Sequence, residues 1–120
     1  MNVVRLKLKA PRENFIAVAR ECVAFSDTEP GTLTYDWFLA PDGETCDVVM
    51  SYVNAEAHAA HVGSRFGTDI LPKLLAVADV IRSDIYGELN QFSTEFLKDR
   101  DRIYHGAPLF VAGTRRNVNS

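Results

Sequence analysis

Residues 3–9 alternate, with Val4, Leu6 and Leu8 on one side and Arg5, Lys7 and Lys9 on the other. A period of two predicts a strand with one apolar face. Pro11 suits the first turn of a helix, where its missing N–H costs nothing. Residues 12–26 follow with Phe15, Ala19, Cys22 and Val23 on one stripe, a helical spacing. Glu29-Pro30-Gly31 ends that unit as a turn. Residues 32–40 form the clearest strand: Leu33, Tyr35, Trp37 and Leu39 share one face. In the hairpin turn Ala40-Pro41-Asp42-Gly43-Glu44, proline presets φ and glycine supplies a positive one. Residues 45–53 return as a third strand with Cys46, Val48, Met50 and Tyr52 on one face. Asn54 is a good N-cap for a helix that begins AEAHAAHV and runs to about Val62. Gly63 and Gly67 interrupt it, and a second helical piece over 68–76 carries Ile70, Leu71, Leu74 and Leu75. Residues 77–86 predict a fourth strand, Val77, Ile81 and Ile85 opposite Arg82 and Asp84, stopped by Gly87. Residues 88–102 have Leu89, Phe92 and Phe96 at helical spacing, residues 108–112 predict a short last strand, and 114–120 form a polar, loose tail.

The order β-α-β-β-α-β, followed by a helix and a strand, predicts a ferredoxin-like α+β fold with an antiparallel sheet. It is a single domain over 1–120 with its core at about 3–112. One sheet face collects Arg5, Lys7, Asp36, Asp47, Arg82 and Asp84 together with Val3, Phe38, Val49 and Val80. A solvated face would carry charges. The admixture of large apolar residues favours packing against a second copy, giving a homodimer through the sheet face.

With 120 residues, 47% hydrophobic and 24% charged, the chain is neither a disordered tail nor a rod. A net charge of −3 argues against a nucleic-acid partner, which calls for a basic face. The longest apolar run ends at Asp79, far short of the ~20 residues a membrane helix needs. The opening MNVVRLKLKAPREN lacks the continuous apolar stretch of a secretory leader. Cys22 and Cys46 form neither a disulfide framework nor a metal knuckle. The expectation is a soluble, cytoplasmic protein with two reduced thiols and no membrane association.

Candidate chemistry falls on few residues. Tyr35 and Trp37, with Met50 and Tyr52 on the neighbouring strand, either line a cavity that stacks a planar ring or simply fill the core. His58 and His61 share one side of a helix, but no third ligand and no HExxH accompany them, so no metal site is signalled. His61 is the candidate general base, since an imidazole titrates near neutral pH, unless it is a structural histidine. His58 and His105 read as surface groups. Cys46 points inward without a base to activate it. Gly63-Ser64-Arg65-Phe66-Gly67 has no phosphate-loop context and marks a helix break, a candidate lip over a pocket. Asp99-Arg100-Asp101-Arg102 reads as a solvated helix end.

Glu29-Pro30-Gly31-Thr32-Leu33-Thr34-Tyr35-Asp36-Trp37-Phe38-Leu39, followed by Asp42-Gly43, resembles the antibiotic biosynthesis monooxygenase family and its quinol-monooxygenase-like relatives. So do the strand ending in Tyr52, the helix with His61 near its middle, and Tyr86-Gly87. The resemblance implies a dimeric α/β barrel, two ferredoxin-like subunits packed sheet against sheet, each with a small-molecule pocket between sheet and helices. It implies oxidation of a phenolic or quinol ring by O₂ with no cofactor. His61 would be the base. Trp37, Tyr52 and Tyr35 would hold the oxyanion or the ring, and Met50, Phe66, Ile70 and Leu74 would form a dry wall. Haem-cleaving relatives use an Asn on the first strand, a Trp ending the third and a His on the next helix; only His61 matches, which disfavours haem cleavage. The alternatives are a non-catalytic small-molecule-binding dimer, or an isomerase or lyase of the same superfamily.

Overall fold

A computed structural model describes residues 1–98 and 102–106. The chain runs β1 (Asn2–Leu8), α1 (Arg12–Ser26), β2 (Thr32–Leu39), β3 (Thr45–Tyr52), α2 (Ala55–Val62), a π-helical turn (Phe66–Ile70), α3 (Leu71–Val77), β4 (Ala78–Tyr86), α4 (Gln91–Leu97) and β5 (Ile103–Gly106). The sheet order is β2-β3-β1-β4-β5. Its first four strands are antiparallel in the ferredoxin-like arrangement, and β5 adds to β4 in parallel, so the sheet is mixed. Among the described residues it is open. The expected strand over 108–112, the tail at 114–120 and the charged residues 99–101 lie outside the described residues.

Local signals explain the elements. The backbone N–H groups of Asn14 and Phe15 donate to Pro11 O at the start of α1. Asn54 Oδ1 accepts from Ala57 N at 2.8 Å and caps α2. Gly43 takes φ +73° in the β2–β3 turn, and Asp42 Oδ1 accepts from Glu44 N at 2.8 Å. Between Phe66 and Leu71 the helix widens to a π-turn, its last N–H reaching back to Phe66 O. Pro72, which has no N–H to give, stands directly after it at the start of α3.

The core lies between the helices and one sheet face, built from Leu6, Phe15, Cys22, Cys46, Val48, Phe66, Ile70, Leu74 and Ala78. The free thiols of Cys22 and Cys46 are buried in it, and burial pushes them up to about 12 and about 11. Neither is poised as a nucleophile.

Two irregularities revise the expected faces. Thr32 pairs with Tyr52 but Thr34 pairs with Ser51, so Leu33 bulges out of the ladder and is 62% exposed. In β4 the register shifts opposite Arg5 and Leu6: Arg82 faces Arg5, but Val80 faces Leu6. The extra residue, Ile81, is 52% exposed, and Val80 turns inward instead of joining the outer face. A bulge of one residue exchanges the faces beyond it.

On the outer face, Arg5 grips Asp47 through two bonds of 2.8 and 3.1 Å. Arg82 grips Asp84 through bonds of 2.7 and 3.1 Å, and His105 Nε2 stands 2.9 Å from the same carboxylate. Arg82, with His105 second, holds Asp84 down at about 2. The helix expected over 88–102 is confined to Gln91–Leu97, capped by Asn90. No described helix is long and apolar enough to cross a membrane.

Candidate functional site

A cavity of about 290 Å³ opens between the inner sheet face and the helices. β1 contributes Asn2, Val4 and Leu6; β2 and β3 contribute Tyr35, Trp37, Val48 and Met50. His58, His61, Phe66 and Leu74 close the helical side, while Val80 and Ser83 come from β4 and Leu97 and Arg102 from the segment beyond it. Of the residues expected at a site, His61, Trp37, Tyr35, Met50, Phe66 and Leu74 line this one cavity. Ile70 does not: it is fully buried in the core beneath. Tyr52 faces a separate cleft with Asn54, Tyr86 and Gly87. Its hydroxyl donates to Met50 Sδ at 3.2 Å, which leaves it no free proton to offer an oxyanion.

His61 is 2% exposed. Its Nδ1 lies 2.5 Å from Glu29 Oε1. An ionised carboxylate can only accept, so Nδ1 carries a proton and faces Glu29, which leaves Nε2 as the ring nitrogen available for proton exchange. Aromatic rings fix the imidazole plane. Phe66 stacks on it with centroids 4.2 Å apart, and Tyr35 and Tyr52 stand 5.7 Å away. The glycine-flanked segment expected as a lip is thus a packed wall: Ser64 Oγ donates to His61 O, and Phe66 N donates to Ser64 Oγ.

His58 is not a surface group. It is 5% exposed and held at both ring nitrogens, with Asn2 Nδ2 3.1 Å from Nε2 and Ser93 Oγ 2.7 Å from Nδ1. The Asn2 amide donates to Nε2, so Nδ1–H donates to Ser93. Burial, with His61 second, drives its pKa down to about 4. The two histidines therefore have separate partners. Among the described residues, no three His, Cys, Asp or Glu side chains are grouped to hold a metal.

Two donors on β2 face the same way, two residues apart. Trp37 Nε1 is buried with no hydrogen-bond partner among the described residues. Such a donor costs about 1–3 kcal/mol unless something accepts from it. Burial, the largest cause, raises the Tyr35 phenol well above its ordinary value, so it stays protonated and able to donate. Together the groups present an available ring nitrogen, two donors and an apolar wall.

Sequence reasoning missed Glu29 as the partner of His61, although Glu29 opens the most specific segment of the resemblance. It also missed Asn2: a first-strand asparagine does line the cavity, with its amide committed to His58. Arg102, read as part of a solvated helix end, lines the cavity too.

No protein-family model and no curated protein sequence matches the chain. Solved structures do. MupZ from Pseudomonas fluorescens is similar at 16% identity and a TM-score of 0.72, over 99% of this chain and 96% of that one. SnoaB, a cofactor-independent oxygenase from Streptomyces nogalater, is similar at 15% identity and a TM-score of 0.62, over 66% of this chain and 82% of that one. An antibiotic biosynthesis monooxygenase is similar at 20% identity and a TM-score of 0.56, over 67% of this chain and 92% of that one. The likeness expected from residues 29–43 thus holds at the level of the fold.

Proposed function

We propose, for a chain whose fold is that of the antibiotic biosynthesis monooxygenases, that the cavity binds a phenolic or quinol ring and oxidises it with O₂ without a cofactor. The observation that carries this reading is the His61–Glu29 pair, which commits Nδ1 of a residue lining a largely apolar cavity and leaves Nε2 for the ligand. His61 takes the phenolic proton, and Glu29 supports the imidazolium that results. Trp37 N–H and Tyr35 O–H donate to the phenolate oxygen. Such preorganised stabilisation is worth about 3 kcal/mol for one donor. Met50, Phe66 and Leu74 keep water from the activated ring. Electron transfer from the phenolate to O₂ is the substrate's own chemistry. SnoaB, similar in fold, is itself a cofactor-independent oxygenase.

The same reading takes the chain as a homodimer through the outer sheet face. There the Arg5–Asp47 and Arg82–Asp84 charges are already paired within the chain, and Phe38 stands exposed. Sedimentation velocity should give a dimer; a monomer at micromolar concentration overturns that part.

The direct test is O₂ uptake by metal- and flavin-free protein against a panel of quinols and polycyclic phenols, beside His61→Ala. Uptake that is lost in the variant supports the reading. Binding without uptake makes the protein a non-catalytic carrier of the same ligands, and turnover to an isomer without O₂ makes it an isomerase.

A further inference from the structure

The cavity wall carries one permanent charge among the described residues, the Arg102 guanidinium between α4 and β5. The rest of the lining is apolar or neutral, apart from the two histidines. Arg102 Nη1 donates to Leu97 O at 2.5 Å, which anchors the head group. A guanidinium has five donors in a fixed fork, and no carboxylate among the described residues pairs with this one. It contrasts with Arg5 and Arg82, each spent on a bidentate aspartate on the outer face. A half-buried cation beside an apolar chamber is unfavourable unless the occupant supplies an anion.

We infer that Arg102 is a specificity residue and that the ligand of this cavity is a phenol bearing a carboxylate, the carboxylate held by Arg102 while His61 works on the hydroxyl. The inference rests on the ring-binding reading above and names its substrate class. Arg102 touches the ligand's acid group and takes no part in proton transfer. Its loss therefore weakens binding of the acid far more than that of a neutral analogue.

Calorimetric titration of 6-hydroxy-2-naphthoate and of its methyl ester, into wild type, Arg102→Leu and Arg102→Lys, separates the outcomes. The wild type should bind the acid about tenfold or more tightly than the ester, the margin a charge-assisted hydrogen bond supplies. Arg102→Leu should bind both about equally, the loss falling mainly on the acid, and Arg102→Lys should restore part of the preference. Equal binding of acid and ester by the wild type overturns the role of Arg102 and leaves the ring-binding reading standing. So does an acid preference that survives Arg102→Leu. Failure of both compounds to bind any of the three proteins overturns the ring-binding reading itself, and this inference with it.

Discussion

His58 is the group whose burial has the most direct thermodynamic consequence. In the unfolded chain its imidazole titrates at 6.5; in the fold, burial first and the neighbouring His61 second bring it down to about 4. The unfolded state therefore binds the proton first as the pH falls. Stability from keeping His58 neutral is complete above about pH 6.5 and is lost progressively toward pH 4. The whole interval is worth about 3 kcal/mol, and the part lost between pH 7 and pH 5 is about 2 kcal/mol. Other carboxylates and histidines titrate nearby, so a single pH series does not isolate it. Urea unfolding of wild type and His58→Gln at both pH values does. The wild type should lose about 2 kcal/mol more than the variant on going from pH 7 to pH 5. Equal losses refute the reasoning, as does an NMR titration that places the His58 ring near 6.5.

Glu29→Gln keeps an acceptor beside His61 Nδ1 but removes the charge that supports the imidazolium; kcat for O₂-dependent turnover should fall about tenfold or more with KM within about twofold. An unchanged kcat would leave Glu29 with a structural role alone. At Gly67, an added Cβ would lie 2.2 Å from Val62 O, a backbone atom that cannot swing aside. Gly67→Ala should therefore destabilise the fold by about 2 kcal/mol, read as a lower urea midpoint with an unchanged slope.

The fold was legible where one period ran unbroken. The helix over 12–26 and the strands flanking Asp42-Gly43 follow from spacing and turn chemistry alone, because each element's apolar face meets the core directly. Spacing failed where the backbone inserts a residue. An alternation counted through Ile81 puts Val80 outside, whereas the bulge turns it into the cavity. Nothing in side-chain type marks that position, since Val80 and Ile81 are both β-branched and apolar. β5 escaped for a different reason: Ile103 and Tyr104 are exposed on an edge strand, so no buried face imposes alternation on them.

The site divides along the same line. Tyr35, Trp37 and Met50 were legible as cavity wall because a strand sends alternate side chains to one side. The polar partners were not, because a hydrogen bond between distant elements leaves no local period. Glu29 and His61 are separated by 32 residues, and His58 and Ser93 by 35. Read alone, His58 is a polar residue on a short helix and belongs at the surface; only Asn2 and Ser93, arriving from β1 and α4, make its burial tolerable. Arg102 shows the converse. The three residues before it are charged, which reads as solvent, yet the parallel pairing of β5 with β4 brings it into the same lining as Ser83. The chemistry of this cavity thus depends on residues that tertiary structure delivers to a wall the local pattern had already drawn. Substitutions at Glu29 or Arg102 should accordingly alter function with little change in fold, while those at Phe66 or Leu74 should disturb both.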